Sequence, residues 1–396
     1  MTAAAGSRAA AARARRIVVK VGSSILTRDG KLRHRVFGEI ARQVSALQEA
    51  GREVVVVSSG AIAIGSRRLG WTHPGRSIPE KQAAAAVGQI GLIEIYQRRF
   101  ARFDRQVGQV LVTRGGLEER ERFLNARHTL LMLLRLGVVP IVNENDTVAT
   151  EEIRFGDNDN LSATVVNLVA ADLLVILTDV DGLWQHAPEA RSSGAAGDAA
   201  APPRRAPHPP IFDVVESVTP EIERAAQGAS SAFGRGGMTT KLEAAQIAAR
   251  GGASTVVCNG LAKDVLSRVA AGERVGTLFL SGQRLASRKH WLAFTMRTRG
   301  ELVIDEGAAR AVVERGKSLL PAGIAEVRGK FGIGDPVAVV DVRGAALARG
   351  LVAYSSDEIR RIAKLPAREI RPVLGYSNGD EVIHRDDLVL LQDPMS

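Results

Sequence analysis

Two clusters of acids and amides lie close together between Asn143 and Asn160. The first cluster, Asn-Glu-Asn-Asp, occupies residues 143–146, and the second, Asp-Asn-Asp-Asn, occupies residues 157–160. A carboxylate can hold an ammonium group and amide N–H groups can hold a carboxylate, so the two clusters suit a zwitterionic ligand. The same residue types are common in turns and at helix N-caps, where Asp159 or Asn160 could serve. Two such clusters around one short loop favour a binding site.

A glycine-rich stretch, Gly-Arg-Gly-Gly-Met-Thr-Thr-Lys, covers residues 234–241 and leads directly into a helical pattern. Glycines let the backbone approach a phosphate closely, and a helix N-terminus offers unpaired N–H groups and a positive dipole end. Lys241 adds a point charge that could follow a transferred γ-phosphoryl group. A flexible turn capped by Thr239 would explain the same residues, so the stretch alone does not decide. It does not match the P-loop pattern G-x-x-x-x-G-K-[ST].

Lys20 is a third candidate, because it interrupts an apolar strand pattern just before a Gly-Ser-Ser turn. A lysine inside such a strand is costly unless its charge has a partner, and a phosphate at the strand's carboxyl end would be one. The alternative is a lysine whose ammonium group reaches solvent at the edge of the sheet. Thr178 and Asp179 end another apolar run, which is the right position for a nucleotide contact.

Together these features predict phosphoryl transfer, which depends mainly on positioning and charge neutralisation. The clusters contain no histidine, cysteine nucleophile or metal cage. A carboxylate acceptor suits them, because a glutamate side chain with a pKa of about 4.3 is ionised at neutral pH and needs no general base. Mg²⁺ would be held mainly by the phosphates of ATP and by water.

Alternating strand and helix patterns would position these residues. Buried strands are predicted at Arg16–Val21, Glu53–Val57, Val107–Leu111, Gly137–Val142, Leu173–Leu177, Thr255–Cys258 and Gly276–Leu280. Helices are predicted at Val36–Ala50, Glu80–Phe103, Leu117–Leu136, Leu161–Ala170 and Met238–Arg250. This alternation predicts an α/β fold, a three-layer αβα sandwich with a mostly parallel sheet. Ligands bind beyond the carboxyl ends of strands in such sheets, where the candidate residues fall.

Changes in composition predict the domain organisation. Residues 1–15 are rich in Ala and Arg, which favours a disordered N-terminal extension over a transit peptide or a secretory signal. Residues 186–210, rich in Pro, Ala, Gly and Ser, predict a flexible insertion in a domain spanning residues 16–282. A small β-rich domain is predicted at residues 289–390. Its expected elements are the helix Asp305–Glu314 and the strands Glu301–Ile304, Ile324–Val327, Val337–Val340 and Leu351–Tyr354.

The whole chain is typical of a globular protein, with 396 residues, 45% hydrophobic content and 24% charged content. Its longest apolar stretch, Leu168–Leu177, is too short to span a bilayer. The single cysteine, Cys258, excludes an intrachain disulfide framework, and its place in a strand pattern predicts a buried hydrophobic side chain. The net charge of +10 suits anionic small molecules or nucleic acid.

Seven motifs resemble those of the glutamate 5-kinases, within the amino acid kinase family. They are VKVGSS, VVSSGAIAIG, ERFLNAR, PIVNENDTVAT, FGDNDNLSA, LTDVDGL and GRGGMTTK. The motifs follow one another in the family's order from about Arg16 to Leu280, and the tail from about Arg299 to Asp387 resembles a PUA domain. The resemblance implies a cytoplasmic enzyme that uses ATP to phosphorylate the side-chain carboxylate of L-glutamate, the first step of proline synthesis.

The resemblance also implies roles for individual residues. Lys20 matches an ATP-binding lysine, Lys241 matches the lysine that stabilises the transferring phosphoryl group, and Asp159 matches an acid that organises both. These three residues are the implied catalytic group. The implied glutamate-binding residues are Ser59, Asp146 and Asn158. The implied ATP-binding residues are Lys20, Thr178, Asp179, Arg235, Gly236, Gly237, Met238, Thr239, Thr240 and Lys241.

Two features depart from the family pattern, both on the nucleotide side. The family's usual T-x-D-P-R appears at residues 185–189 as Gln-His-Ala-Pro-Glu, and the insertion that follows is longer than usual. One alternative function is a sister kinase that acts on another small carboxylate or carbamate, and the paired acid and amide motifs argue against it. Another is an RNA-binding protein with a vestigial kinase fold. The intact Lys20, Asp159 and Lys241 argue against that alternative.

The family further implies a homo-oligomer and feedback inhibition by proline, and we expect no association with a membrane. RNA binding by the C-terminal domain is not expected. Residues 287–396 contain 17 basic and 15 acidic side chains, so the domain is close to neutral. Affinity for nucleic acid comes largely from neutralised phosphates, and this domain has few surplus charges for that purpose.

Overall fold

The structure is a computed structural model that describes residues 3–28, 31–149, 158–186, 210–228, 237–281 and 298–391. The chain forms two compact units. The larger unit contains Met1–Leu117 with Ala126–Arg284, and the smaller contains Glu118–Asn125 with Leu285–Ser396. Most of the predicted insertion at residues 186–210 lies outside the described residues. In the part of the chain that is described, no helix is long and apolar enough to cross a membrane.

The larger unit is built on one large sheet. Its strands, with those of a small hairpin, are β1 (Arg16–Val21), β2 (Thr27–Arg28), β3 (Lys31–Leu32), β4 (Glu53–Ser58), β5 (Val107–Val112), β6 (Val139–Glu144), β7 (Leu173–Thr178), β8 (Val214–Val215), β9 (Ser254–Asn259) and β10 (Thr277–Phe279). The sheet order is β5-β6-β4-β1-β7-β9-β10-β8, and β2 pairs with β3. All neighbours in the large sheet are parallel except β9 and β10. The prediction of a mostly parallel sheet is confirmed.

Helices cover both faces of this sheet. They are α1 (Ala3–Ala12), α2 (Ser23–Leu26), α3 (His34–Glu49), α4 (Ala61–Arg68), α5 (Ile78–Phe100), α6 (Arg114–Glu118), α7 (Arg120–Arg135), α8 (Asp159–Val169), α9 (Pro220–Gly228), α10 (Met238–Arg250) and α11 (Val265–Ala270). Val19 of β1 shares a core cluster with Phe37 of α3 and Tyr96 of α5. Lys20 points to the opposite face, because side chains alternate along a strand, and pairs with Asp159 of α8. The predicted three-layer αβα arrangement is therefore confirmed.

Helix α5, the longest, begins where its sequence signals place it. Ser77 accepts a hydrogen bond from the backbone N–H of Glu80, and the Glu80 carboxylate accepts from the backbone N–H of Ser77. This reciprocal capping box satisfies two N–H groups that have no partner within the helix, and Pro79 stands in the first turn, where its missing N–H is harmless. The structure extends the predicted helix by two residues at this end and continues it as a 3₁₀ turn to Phe103.

The N-terminus differs from the predicted disordered extension at residues 1–15. Residues Ala3–Ala12 form α1, and Arg8 is buried. The guanidinium of Arg8 uses all of its donors. It donates to the Asp213 carboxylate and to the backbone carbonyls of Asp213, Glu273, Val275 and Gly276. These partners follow Arg8 by 205–268 residues, so local composition contained no sign of them.

The smaller unit has its own sheet and core. Its elements are β11 (Gly300–Ile304), α12 (Glu306–Val313), β12 (Ile324–Gly329), β13 (Pro336–Val340), β14 (Ala346–Leu351), α13 (Ser356–Ile362), α14 (Ile370–Leu374) and β15 (Leu388–Leu390), with sheet order β12-β11-β13-β14-β15. A β-rich C-terminal sheet is therefore confirmed. The predicted strand Leu351–Tyr354 is wrong, because the strand ends at Leu351 and the buried Tyr354 precedes α13. Ser355 and Glu358 form a capping box that starts this helix.

Candidate active site

Three charged side chains that are far apart in the sequence meet in the larger unit. Lys20 Nζ lies 2.5 Å from Asp159 Oδ1, and Lys241 Nζ lies 3.1 Å from Asp159 Oδ2. The residues are 5%, 0% and 6% exposed for Lys20, Asp159 and Lys241 respectively. Each oxygen of one buried carboxylate thus holds one ammonium group. We call these three residues the charged centre, and it carries one surplus positive charge.

Three elements deliver these side chains to one edge of the sheet. Lys20 is the last but one residue of β1, which lies between β4 and β7 in the sheet. Asp159 is the first residue of α8, and Lys241 lies in the first turn of α10. The carboxyl end of a central parallel strand therefore faces two helix N-termini, which are favourable places for negative charge.

The ionisation of Asp159 follows from its two partners. Burial by itself would raise the pKa of Asp159, but the positive charges of Lys20 and Lys241 outweigh burial and hold this pKa well below its ordinary value. Asp159 is therefore a carboxylate at neutral pH. A buried charge without partners is strongly unfavourable, whereas this carboxylate has an ammonium group on each oxygen.

The glycine-rich stretch is described from Gly237 onward, and Arg235 and Gly236 lie outside the described residues. Gly237 is the N-cap residue of α10 and has no side chain to cap the helix, so the N–H groups of the first turn stay open to an anion. Thr240 Oγ1 lies 2.9 Å from Asp159 Oδ2 and 2.9 Å from the Gly237 carbonyl oxygen. The stretch is thus joined directly to the charged centre. Its remaining candidates differ in burial, since Met238 is buried and Thr239 is exposed.

Thr178 and Asp179 lie where β7 ends. Thr178 is buried, and its hydroxyl donates to Asp179 Oδ1 at 3.2 Å. The carbonyl of Leu177, one residue earlier, accepts from the backbone N–H of Gly22, which begins the Gly-Ser-Ser turn after Lys20. The pair is therefore at the same sheet edge as the turn that follows β1. The altered segment at residues 185–189 is described only at Gln185 and His186.

The predicted glutamate-binding residues come from three separate segments. Asn158 Nδ2 donates to the carbonyl of Ser58 at 3.2 Å, so Asn158 lies against the end of β4, where Ser59 follows. Asn158 Nδ2 also donates to Asn143 Oδ1 at 2.8 Å, at the end of β6. Asp146 is half-buried in the turn that follows β6. We call Ser59, Asp146 and Asn158 the acid/amide pocket.

Gln89 is a contributor that the sequence analysis did not identify. It lies in α5, is 9% exposed, and accepts a hydrogen bond at 2.9 Å from Asn143 Nδ2. One signal could have revealed it, since Gln89 is a polar residue on a helix face otherwise lined by small and apolar residues such as Ala85 and Leu92. A polar side chain at such a position needs a buried partner. The Thr240 contact with Asp159 was also missed, because it joins two candidates assigned to separate clusters.

Within the described ranges, no group of three or more His, Cys, Asp or Glu side chains is placed to hold a metal ion. Cys258 is fully buried in β9, and burial raises the pKa of its thiol to about 12. This confirms the prediction of a buried hydrophobic side chain, since such a thiol remains protonated at neutral pH.

Comparison with known proteins agrees with this geometry. The amino acid kinase family matches residues 15–194, and the PUA domain matches residues 300–374. The chain is 50% identical to a glutamate 5-kinase of Paraburkholderia phymatum and 51% identical to one of Paraburkholderia xenovorans, in each case over 97% of this chain and 100% of the relative. It is 51% identical to a glutamate 5-kinase of Cupriavidus taiwanensis over 96% of this chain and 99% of the relative. The chain therefore belongs to the glutamate 5-kinases of the amino acid kinase family and carries a C-terminal PUA domain.

Proposed function

We propose that this chain transfers the γ-phosphoryl group of ATP to the side-chain carboxylate of L-glutamate. The product is L-glutamyl 5-phosphate, and the reaction is the first step of proline synthesis. A carboxylate oxygen of glutamate forms the new bond to phosphorus, the bond from that phosphorus to the β–γ bridging oxygen breaks, and ADP leaves. The acceptor is already ionised at neutral pH, so no general base is needed.

The observation that carries the proposal is the charged centre. Its two ammonium groups are buried and bonded to opposite oxygens of Asp159, so two positive charges share one carboxylate. Negative charge on a transferring phosphoryl group is stabilised best by such charges fixed in place and shielded from water. We assign Lys20 and Lys241 to the phosphoryl oxygens, and Asp159 to holding the two lysines in position.

The ATP-binding role of the remaining candidates is supported by their placement. The open N–H groups at the start of α10 and the turn after Lys20 face the sheet edge where Lys20 and Asp159 meet. We assign Gly237, Met238, Thr239 and Thr240 to the nucleotide phosphates, and Thr178 with Asp179 to the rest of the nucleotide. Mg²⁺ enters as part of the substrate Mg·ATP, and it shields the phosphate charge that the lysines do not reach.

Glutamate would occupy the acid/amide pocket. The Asp146 carboxylate and the oxygen of the Asn158 amide suit the ammonium group of glutamate, and the Ser59 hydroxyl suits a carboxylate group. The contact from Asn158 to the Ser58 carbonyl supports this grouping, because it brings two of the three segments together. Asn158 would thus contact the acceptor glutamate, and its neighbour Asp159 would hold the two lysines that contact the phosphoryl group.

The direct test is an acceptor assay. ADP release from Mg·ATP is measured with L-glutamate, L-aspartate or N-acetyl-L-glutamate as acceptor. We expect turnover with L-glutamate to exceed turnover with the other two by orders of magnitude. Equal or faster turnover with another acceptor would indicate a sister kinase of the same fold. ADP release no faster than without an acceptor would contradict kinase activity altogether.

Several properties of the chain as a whole complete the proposal. Domain limits of 16–282 and 289–390 are supported by the two compact units and by the two family matches. Assembly into a homo-oligomer, cytoplasmic localisation and feedback inhibition by proline rest on the family. Light scattering and inhibition by proline at fixed glutamate test the first and last of these. We do not expect the near-neutral C-terminal domain to bind structured RNA at physiological salt.

A further inference from the structure

Three side-chain amides form a continuous hydrogen-bonded chain that ends at the acid/amide pocket. Asn158 Nδ2 donates to Asn143 Oδ1 at 2.8 Å, and Asn143 Nδ2 donates to Gln89 Oε1 at 2.9 Å. At its other end, Asn158 Nδ2 donates to the carbonyl of Ser58 at 3.2 Å. The three amide side chains are each at least nine-tenths buried. We call the Ser58 carbonyl with Asn158, Asn143 and Gln89 the amide chain.

The Ser58 carbonyl sets the direction of every bond in this chain. A carbonyl oxygen only accepts, so the atom of Asn158 that faces it must be Nδ2. Both hydrogens of that Nδ2 are then used, one toward Ser58 and one toward Asn143. Asn143 must therefore turn its oxygen to Asn158 and its nitrogen to Gln89, which accepts through Oε1. The remaining atom of the Asn158 amide is Oδ1, an acceptor, and this is the atom suited to the ammonium group of an amino acid.

Gln89 has no other described contact that would fix its amide. Its Nε2 is buried without a hydrogen-bond partner among the described residues. Burying an amide nitrogen without a hydrogen-bond partner costs free energy, and another contact of the same side chain must offset that cost. Among the described contacts, the hydrogen bond that Gln89 accepts from Asn143 is the one that explains a glutamine at this position.

Helix α5 contacts residues 143–149 at two points. Gln89 binds Asn143 near the end of β6, and Gln82 Nε2 donates to the carbonyl of Ala149 at 3.2 Å. Gln82 and Gln89 are seven residues apart, which places them on one face of the helix two turns from each other. Asp146 lies between the two attachment points. One helix face thus holds the segment 143–149, which carries a glutamate-binding candidate.

The position of α5 is itself tightly fixed. A Cβ atom on Gly88 would lie 1.8 Å from the carbonyl oxygen of Ala61, and one on Gly65 would lie 1.6 Å from that of Ala84. Helices α4 and α5 therefore touch backbone to backbone at glycines, and Gly88 immediately precedes Gln89. Close packing of this kind allows little movement of the side chain that follows.

We propose that Gln89 is a positioning residue for the amino-acid acceptor. It accepts from Asn143 at one end of the amide chain, as the Ser58 carbonyl accepts from Asn158 at the other, and the two acceptors together hold the direction that presents Asn158 Oδ1 to an ammonium group. This inference rests on the proposed function, since it assumes that glutamate binds at Asn158. It predicts that the acceptor site selects a ligand bearing an α-ammonium group over the same dicarboxylate without it.

The test uses Gln89→Met, which keeps the length of the side chain and removes the acceptor. Without that acceptor Asn143 can reverse its amide and turn its own Nδ2 toward Asn158 Nδ2, so the direction of Asn158 is then fixed by the Ser58 carbonyl alone. We expect the KM for L-glutamate to rise about 3- to 10-fold, the value of one net hydrogen bond, with kcat and the KM for ATP close to wild type. The matched control is Gln97→Met, the same substitution at an exposed position of α5.

A second ligand separates positioning from a general structural role. Glutarate is glutamate without the α-ammonium group, and its Ki as a competitive inhibitor reports binding at the same site. The Gln89→Met substitution should weaken binding of L-glutamate more than binding of glutarate, because only L-glutamate presents an ammonium group to Asn158. Equal weakening of both ligands, or a lower Tm with an unchanged KM, would overturn the inference.

If Gln89→Met does not fold, Gln89→Glu keeps the inference testable. A carboxylate still accepts from Asn143, and its added negative charge favours an ammonium-bearing ligand, so the preference for L-glutamate over glutarate should be retained or increased. Loss of that preference would overturn the proposal. Failure of the wild-type enzyme to use L-glutamate would instead contradict the proposed function, which the acceptor assay detects independently.

Discussion

The charged centre and the amide chain are neighbours, since Asp159 follows Asn158, yet opposite kinds of interaction hold them. In the charged centre, one carboxylate bonds two ammonium groups, and attraction depends on distance and charge rather than on which hydrogen points where. The amide chain has no charge, and its order depends on which atom of each amide faces the next. The charged centre should tolerate rotation of its side-chain groups but no loss of charge. The amide chain should not tolerate an amide that exchanges the positions of its oxygen and nitrogen.

This contrast predicts that the two regions control different quantities. Fixed charge near a transferring phosphoryl group acts most strongly in the transition state, so damage there should lower kcat. Oriented amides act on the bound amino acid before and during the reaction, so damage there should raise KM. Four substitutions with three kinds of effect can break or sharpen this comparison, and they follow in order of expected size.

The largest expected effect is on stability, from Asp159→Asn. The substitution removes the carboxylate charge that both buried ammonium groups contact, and breaking a buried ion pair in this way costs about 3–5 kcal/mol. Chemical unfolding at pH 7 would measure the loss of unfolding free energy. The control is Asp104→Asn, an exposed position whose left-handed backbone an asparagine tolerates.

The pH dependence of this loss tests its cause. The folded pKa of Asp159 is lowered, so its contribution is present above an unfolded pKa of about 3.9 and is lost as the pH falls through the lower folded value. The difference in unfolding free energy between wild type and Asp159→Asn should therefore be smaller at pH 3 than at pH 7. An equal difference at both pH values would contradict a charge-based explanation.

The second effect is on kcat, from Lys241→Ala. Removing one preorganised electrostatic contact from a transition state lowers the rate by about 10²–10³-fold. We expect the KM for L-glutamate to change far less, because Lys241 bonds Asp159 and lies outside the amide chain. Steady-state kinetics beside Lys263→Ala, an exposed lysine, provides the control. A folded Lys241→Ala enzyme with wild-type kcat would rule out the catalytic role.

The third and smallest effect is on KM, from Asp146→Ala and Asn158→Ala. Each removes a partner of a charged ligand group, which is worth about 10- to 100-fold in affinity for L-glutamate. The KM for ATP should stay near wild type in both variants. If either substitution raises the KM for ATP while the KM for L-glutamate is unchanged, that residue belongs to the nucleotide side of the site.

Sequence patterns predicted the fold of the larger unit well because its strands are short apolar runs between clear turn signals. The strand Arg16–Val21 and the helix Met238–Arg250 have their predicted bounds. Local signals could not reveal contacts that depend on tertiary structure. Nothing near Arg8 indicates its carbonyl partners, and nothing near Asn143 indicates Gln89 as its acceptor. Residues whose partners are other candidates, such as Lys20 and Asp159, were the easier ones to find.

The hydrogen bonds of Arg8 to residues 213–276 have a consequence for the order in which the larger unit assembles during synthesis. The carbonyl group of Gly276 emerges 268 residues after Arg8. At ordinary ribosomal rates that interval lasts roughly 15–50 s, far longer than a helix or a small sheet needs to form. Helix α1 therefore completes its contacts late, after the segment just before β10 supplies the carbonyls of Glu273, Val275 and Gly276. A nascent chain halted before residue 273 would leave Arg8 with Asp213 alone among these partners.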